Sequence, residues 1–340
     1  MKRENFFQFV LSILTVTTLT IILLISSGCG TSKEEIEAHI TRAKEHLDKN
    51  RYNEAIEETN KIIQLDQKNS QAYEIRAMAY FFRGEYNKSI EDASEAINLN
   101  PQSDQAYKIR GFAYDELEQY DKAIPDLDKV IELNPKSEVY YFRGNVYSSL
   151  KQYERAVQDY NKMIELHPDY EKSYYRRGLA YNNLEQYDKA IPDLDKAIEF
   201  DSKDSSAYYQ RGLAYNNLEQ YAKAIPNFDK AIELNPNKDL AYYQRGIAYS
   251  VLKQHEQAIQ DFSKAIEIDP NYIFAYLRRA LSYALIDNFN QAIADATKVI
   301  ELDSNNNLAY RIRGMCYDLL GNKQQAQADF AKAKELGYTE

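Results

Sequence analysis

Arginine recurs through this 340-residue chain at a nearly constant spacing, and the residue sixteen positions after each arginine is acidic in all but one case. The arginines are Arg42, Arg76, Arg110, Arg143, Arg177, Arg211, Arg245, Arg279 and Arg313. The residues that follow them are Glu58, Asp92, Asp126, Asp159, Asp193, Asn227, Asp261, Asp295 and Asp329. Guanidinium and carboxylate groups form bidentate, charge-assisted hydrogen bonds. The pattern therefore indicates either an internal ladder of ion pairs or a row of arginines that binds an anionic ligand.

The internal ladder is the favoured interpretation. Each arginine lies next to small and aromatic residues that must pack, and a partly buried guanidinium needs a partner. A matched acid in nearly every period would neutralise the site. We therefore predict structural pairs within or between neighbouring repeats, including Arg110 with Asp126, Arg143 with Asp159, Arg177 with Asp193, and Arg245 with Asp261.

The arginines belong to a longer repeat. Residues 174–187 (YYRRGLAYNNLEQY) and 208–221 (YYQRGLAYNNLEQY) agree at thirteen of fourteen positions. Steps of 34 residues from Ile36 give nine units, numbered below from position 1 to position 34; one unit is a residue short. The units are 36–69, 70–103, 104–136, 137–170, 171–204, 205–238, 239–272, 273–306 and 307–340. Because they fill residues 36–340, we expect no separate catalytic domain there.

Each unit has the pattern of two amphipathic helices. Apolar and small residues fall at positions 4, 8 and 11 and again at positions 17, 20, 24 and 27, which are helical spacings. Position 8 is always Gly or Ala and position 20 is Ala with one Ser, so the two helices can approach closely as an antiparallel hairpin. The composition, with 30 Tyr, no Trp, 11 Gly and 8 Pro, also favours an all-helical chain.

This pattern resembles the tetratricopeptide repeat, with Tyr at position 4 where that family usually has Trp. The resemblance covers all nine units and implies an all-α fold, a right-handed α-solenoid of helix-turn-helix hairpins whose first helices line a concave groove. It further implies a binding surface for partner proteins or peptides. The net charge of −10 argues against a nucleic-acid partner, since affinity for nucleic acid depends on neutralising phosphates.

By the same resemblance, positions 2, 5, 9, 12 and 13 face the groove. The candidate binding residues are Tyr141, Tyr175, Tyr209 and Tyr243 at position 5, Leu179 and Leu213 at position 9, and Asn182, Asn183, Asn216 and Asn217 at positions 12 and 13. Rings and aliphatic chains can pack on a partner's side chains while amides bind an extended backbone. For each tyrosine alone, covering the neighbouring helix is an equally good interpretation.

The amino terminus has the order of an export signal. Lys2 and Arg3 precede an uncharged apolar stretch, residues 5–27, which ends at small residues around Cys29. The sequence ISSGC resembles a bacterial lipoprotein signal, which implies removal of residues 1–28 and lipidation of Cys29. An uncleaved membrane anchor is the alternative. Residues 29–35 are then a short linker, and the repeats are exported to the periplasmic or extracytoplasmic side of a membrane in the bacterial cell envelope.

Sequence motifs for catalysis, metal binding or phosphate binding are absent, so we expect no enzyme activity, no cofactor and no metal. His39, His46 and His255 occupy positions that hold core residues in other units, and Cys316 is expected to be a small core residue.

The favoured function is a non-enzymatic, membrane-anchored scaffold or adaptor that holds a partner segment in its groove, in cell-envelope, pilus or secretion assembly. One alternative is glycan binding, because Tyr and Asn side chains also recognise sugars. Another is self-association into an array, through an apolar stripe of Ala326, Phe330 and Ala333 on the last helix.

Overall fold

The computed structural model describes residues 32–338. This part of the chain consists of eighteen helices and contains no strand, and within each of its two compact units consecutive helices pack as antiparallel neighbours. The prediction of an all-α solenoid of helical hairpins is confirmed. The predicted signal segment, residues 1–28, and the predicted lipidation site, Cys29, lie outside the described residues.

The helices fall into two compact units that divide between Lys151 and Gln152. Unit 1 contains α1 (Ser32–Asp48), α2 (Tyr52–Leu65), α3 (Ser70–Phe82), α4 (Tyr86–Leu99), α5 (Asp104–Glu116), α6 (Tyr120–Leu133) and α7 (Val139–Ser149). Each helix packs against the next along the chain. The first helix begins at Ser32, so residues 32–35, assigned to a linker by the sequence, belong to α1. Acidic residues at its first turn, Glu34 and Glu35, favour this earlier start because they complement the helix dipole.

Unit 2 repeats the same arrangement. It contains α8 (Tyr153–Leu166), α9 (Glu171–Asn183), α10 (Tyr187–Phe200), α11 (Ser205–Asn217), α12 (Tyr221–Leu234), α13 (Asp239–Val251), α14 (His255–Ile268), α15 (Ile273–Leu285), α16 (Phe289–Leu302), α17 (Asn307–Leu319) and α18 (Lys323–Glu335). The first helices of its successive repeats, α9, α11, α13, α15 and α17, also contact one another in order. They therefore form one continuous face.

The turn inside every hairpin is made the same way. The residue at position 15 has a left-handed backbone in each of the nine repeats, with φ between 57° and 82°. Two of these residues are glycine, Gly84 and Gly321, and the others are Asn50, Glu118, Lys151, Glu185, Glu219, Lys253 and Asp287. Such a residue reverses the chain after the first helix and lets the second helix begin two residues later. The two helices therefore have the same relative register in each hairpin.

The two helices of a hairpin touch through position 8 on the first and position 24 on the second. Where position 8 is glycine, as at Gly212, position 24 carries a large side chain such as Phe228, which is fully buried. Where position 8 is alanine, as at Ala280, the facing residue is small, as at Ala296. A large residue at position 24 therefore occurs where position 8 has no side chain, and a small one where position 8 is alanine.

Candidate functional site: the arginine ladder and the first-helix face

Position-7 arginines join the two helices of their own repeats. Arg245 on α13 donates from Nε to Oδ2 of Asp261 at 2.8 Å and from Nη2 to Oδ1 at 2.6 Å. The same two-point contact joins Arg76 to Asp92, Arg110 to Asp126, Arg177 to Asp193, Arg279 to Asp295, and Arg313 to Asp329. The structure thus brings these predicted pairs together inside single repeats.

The remaining guanidinium nitrogen donates a hydrogen bond to the preceding repeat. This contact was not predicted from the sequence. Nη1 of Arg279 donates to the hydroxyl of Ser263 at 2.9 Å, and Nη1 of Arg177 donates to Oδ1 of Asn161 at 2.6 Å. Position 25 supplies such an oxygen to each following arginine: Asn60, Ser94, Asp128, Asn161, Asp195, Asp229, Ser263 and Thr297. The signal was visible in the sequence as an oxygen-bearing residue in eight successive units. One arginine therefore fixes three helices from two repeats.

Two members of the ladder differ from the rest. Arg211 donates to Oδ1 of Asn227 at 2.6 Å, and the Asn227 amide donates to the carbonyl of Lys223, so a neutral acceptor can take the carboxylate's place. Arg143 donates from Nη1 to Asp128 at 2.6 Å. Its predicted contact with Asp159 would join the two units and stays a prediction.

The first repeat has the most highly charged version of this contact. Arg42 donates from Nε to Oε2 of Glu58 at 2.8 Å, and Lys61 donates to Oε1 at 2.5 Å. Nδ1 of His39 lies 2.6 Å from the same Oε2. His39 is therefore buried, as the core-filling interpretation expected, but it also belongs to a polar cluster that this interpretation did not include.

Burial and pairing act in opposite directions on the ladder. Burial alone would lower the pKa of the Arg245 guanidinium, but hydrogen bonds and charge from Asp261 and Asp229 outweigh it and raise that pKa. The guanidinium also lies over the ring of Tyr242, with Cζ 5.6 Å from the centroid. Equivalent Arg–Tyr stacking at 5.4 to 5.8 Å recurs from Tyr73 to Tyr310. These arginines are held by tyrosine rings, acidic residues and side chains of the preceding repeats. These contacts favour a structural role for the arginines over a role in binding an anion.

The four tyrosines expected in the groove differ in exposure. Tyr141 and Tyr209 are buried, and Tyr175 and Tyr243 are partly buried. Nζ of Lys238, just before the next first helix, lies 4.3 Å from the centroid of the Tyr209 ring and covers it. Burial raises the pKa of Tyr209 to about 12. Tyr243 is similarly covered by Tyr272, with ring centroids 4.9 Å apart. The rings of Tyr209 and Tyr243 therefore pack against residues just before the next first helix, which agrees with the other interpretation that the sequence left open.

The asparagines divide into two kinds. Asn182 and Asn216 donate from Nδ2 to the backbone carbonyls of Gln210 and Gln244 on the next first helix, at 3.0 and 3.1 Å. They therefore join neighbouring repeats, and their Oδ1 atoms are buried without a hydrogen-bond partner among the described residues. Asn183 and Asn217 remain exposed and donate only to a carbonyl of their own helix. Their amide oxygens are available to a partner.

We call the surface formed by positions 2, 9 and 13 of the first helices in unit 2 the first-helix face; position 13 is exposed on all five of these helices. On α9 and α11 it includes Leu179 and Leu213, both partly buried, beside Asn183 and Asn217. On α13, α15 and α17, the first helices of the last three repeats, positions 2, 9 and 13 hold only aliphatic residues, Met or Phe. These three helices were not singled out from the sequence, although the replacement of polar by apolar residues at positions 2 and 13 can be read from it.

The last helix does not present the apolar stripe suggested for self-association. Ala326 and Ala333 are buried, and the guanidinium of Arg311 lies 4.9 Å from the centroid of the Phe330 ring. A side chain added at Gly314 would meet Phe330 at 2.7 Å. The stripe is packed against α17, because α18 forms a hairpin with α17 like the preceding hairpins of unit 2.

Cys316 is buried, as predicted, and burial raises the pKa of its thiol. Residues 32–338 contain no group of acidic, His and Cys side chains arranged to hold a metal ion. Within the same range, no helix combines the length and apolar character that crossing a membrane requires.

Comparison with known families gives the class of protein. The tetratricopeptide repeat (TPR) family matches residues 70–103, 105–137, 137–170, 171–204, 205–238, 240–272 and 275–306, which are seven of the nine units. The chain therefore belongs to the tetratricopeptide repeat family. Proteins of this family are protein-interaction scaffolds and are generally not enzymes. No curated protein shows significant sequence similarity to the chain.

Solved structures agree with this assignment. The crystal structure of YrrB, described as a TPR protein with an unusual peptide-binding site, is 27% identical with a TM-score of 0.50, and the match covers 55% of this chain and 96% of YrrB. The C-terminal part of a TPR protein from Cytophaga hutchinsonii is 23% identical with a TM-score of 0.59, covering 68% and 96%. A TPR protein from Parabacteroides merdae is 20% identical with a TM-score of 0.51, covering 73% and 99%. The last two show the fold alone.

Proposed function

We propose that this chain is a non-enzymatic scaffold that binds a segment of a partner protein on its first-helix face. One observation carries the proposal: position 13 is exposed on five consecutive first helices of unit 2, at Asn183, Asn217, Val251, Leu285 and Leu319. The ladder arginines on the same helices are already paired inside the protein, so they do not define a site for an anion. The likeness to YrrB, a peptide-binding TPR protein, supports a peptide as ligand.

We further propose that the scaffold is anchored to a membrane and works in the bacterial cell envelope, in an assembly such as a pilus or secretion system. The amino-terminal sequence supports this part, through Lys2, Arg3, the apolar residues 5–27 and the small residues around Cys29. Mass spectrometry of the mature chain tests it. A lipidated chain that begins at Cys29 is expected, and a chain that retains residues 1–28 would show an uncleaved anchor instead.

Photocrosslinking in the native envelope tests partner binding. A photoreactive residue replaces Asn183 or Asn217, which are exposed on the first-helix face, and as a matched control replaces Phe200, which is exposed on the second helix α10. We expect the same partner protein to be crosslinked from both first-helix positions and not from Phe200. Adducts that form equally from Phe200, or that contain glycan and no protein, would contradict the proposal.

A further inference from the structure

The first-helix face changes its chemistry within unit 2. On α13, α15 and α17, positions 2, 9 and 13 are occupied by Leu240, Ile247, Val251, Phe274, Leu281, Leu285, Leu308, Met315 and Leu319. We call these nine side chains the aliphatic face. Phe274, Leu285 and Leu319 are 63%, 64% and 63% exposed. Residues seven and eleven positions apart lie on one side of a helix, and α15 contacts both α13 and α17, so the nine side chains form one surface.

The corresponding positions on the two preceding first helices are mostly polar. Position 2 is Lys172 on α9 and Ser206 on α11, and position 13 is Asn183 and Asn217. A single exposed leucine is ordinary on a protein surface. A contiguous patch of large apolar side chains on three adjacent helices is not, and such patches mark interaction sites.

Two arginines lie on this surface. Arg278 is exposed on α15, four residues after Phe274 and three before Leu281, so it shares their side of the helix. Arg311 on α17 is partly buried against the rings of Phe330 and Tyr338, at 4.9 and 5.6 Å. Within residues 32–338 neither arginine has an acidic partner.

One acid close to this surface is already paired, because Asp318, next to Leu319, is bound to Lys323 at 2.7 Å. Arg278 and Arg311 are therefore two positive charges at the aliphatic face without an acidic partner among the described residues, in a chain whose net charge is −10. An unpaired guanidinium beside apolar side chains is suited to a carboxylate, which it can bind with two parallel hydrogen bonds.

We propose that α13, α15 and α17 bind a segment of a partner protein that carries both aliphatic side chains and carboxylates. Its aliphatic side chains pack on the aliphatic face and its carboxylates pair with Arg278 and Arg311. The inference rests on the proposed function and adds the chemical class of the partner segment. The chain's own apolar stretch, residues 5–27, does not fit this description because it contains no acidic residue.

Synthetic peptides test the proposal on the full-length chain held in nanodiscs of neutral lipid. The probe is a fluorescein-labelled 15-residue peptide of leucine and glutamate. One twin has lysine in place of glutamate, and the other has serine in place of leucine. By fluorescence anisotropy, we expect the leucine–glutamate peptide to bind at least tenfold more tightly than either twin.

Substitutions on the aliphatic face test whether the peptide binds there. Leu285→Ser combined with Leu319→Ser should weaken binding at least tenfold, and because both side chains are exposed, thermal melting should be unchanged. Arg278→Glu should reverse the preference toward the lysine twin. The matched control is Ile268→Ser, an exposed aliphatic residue on the second helix α14, which should leave binding unchanged.

A photoreactive residue at Met315 identifies what contacts the face. The proposal requires peptide adducts. Adducts to lipid would show a membrane-binding surface, and adducts to a second copy would show self-association; either result overturns the proposal, as does equal binding of all three peptides. Peptide adducts from Asn183 and Asn217 but none from Met315 would overturn this assignment while leaving the proposed scaffold function intact.

Discussion

The Cβ that Gly212 lacks would lie 2.7 Å from Cε1 of Phe228, inside the van der Waals contact distance of two carbon atoms. Phe228 is completely buried in a core cluster with Tyr209, Ala224 and Ala231. The glycine on α11 and the phenylalanine on α12 therefore form one packing unit. Gly246 and Phe262 repeat it in the next hairpin at the same 2.7 Å.

Gly212→Ala should lower the free energy of unfolding by about 1–3 kcal/mol, the usual cost of adding a methyl group to a filled core. In a Phe228→Ala background the same change should stabilise the chain by up to about 1 kcal/mol, because alanine favours helix over glycine. Urea unfolding of the four chains measures both effects. The absence of a change of sign would contradict the packing account.

Gly321→Ala should destabilise the last hairpin by about 1 kcal/mol. Gly321 has φ of +82° and no atom near its missing Cβ, so the cost comes only from left-handed backbone strain. Glu219→Ala is the matched control at position 15 of another repeat, where a side chain already tolerates this backbone. Its effect on thermal stability should stay within about 0.5 kcal/mol. Equal losses in the two variants would show that backbone strain is not the cause.

Arg245→Met should cost about 3 kcal/mol, because it leaves the buried carboxylate of Asp261 without its guanidinium partner. Asp261→Asn should cost only about 1 kcal/mol, since Asn227 already accepts from Arg211 in the preceding repeat. Chemical denaturation of both variants gives the comparison. If the two substitutions destabilise equally, the ladder does not stabilise the repeats through charge pairing.

Glu58 should make the first repeat sensitive to acid. Burial raises its pKa, but hydrogen bonds from Lys61, Arg42 and His39 outweigh burial and lower the pKa from 4.5 to about 2. The folded chain thus binds this proton less tightly than the unfolded chain. The carboxylate's contribution to stability is full above pH 4.5 and is lost as the pH falls toward 2.

Glu58→Gln should therefore destabilise the chain at pH 6 and differ progressively less from the parent chain as the pH falls from 4.5 to 2. Circular dichroism melts at several pH values measure this difference. A stability difference that stays constant down to pH 2 would rule out the depressed pKa as its source.

The fold was predictable because the same pattern occurs in nine consecutive repeats. A Gly or Ala at position 8 and a Tyr at position 4 indicate the same helical hairpin in each repeat, so the agreement among repeats does not arise by chance. The pairing of Arg245 with Asp261 was likewise visible as a spacing of sixteen residues. The third contact, from Arg245 to Asp229, was not recognised because position 25 varies among Asn, Asp, Ser and Thr, which share only an oxygen acceptor.

The binding face was harder to predict. Tyr209 was a candidate groove residue that could equally cover a neighbouring helix, and the structure places Lys238, just before the next first helix, over its ring. Asn216 was expected to bind a ligand, but its amide bonds to the carbonyl of Gln244 on the neighbouring first helix. The family's groove positions identify a helix face, whereas exposure of a given residue is decided by the adjoining repeat.

Hydroxyl-radical footprinting of the full-length chain, with and without its crosslinked partner, tests the central claim most directly. Phe274, Leu285 and Met315 on the first-helix face are exposed in the structure and can be compared with exposed second-helix residues such as Phe200 and Ile268. The account predicts that the partner protects first-helix positions and leaves Phe200 and Ile268 unchanged. Protection of the second helices with the first-helix positions still reactive would contradict it.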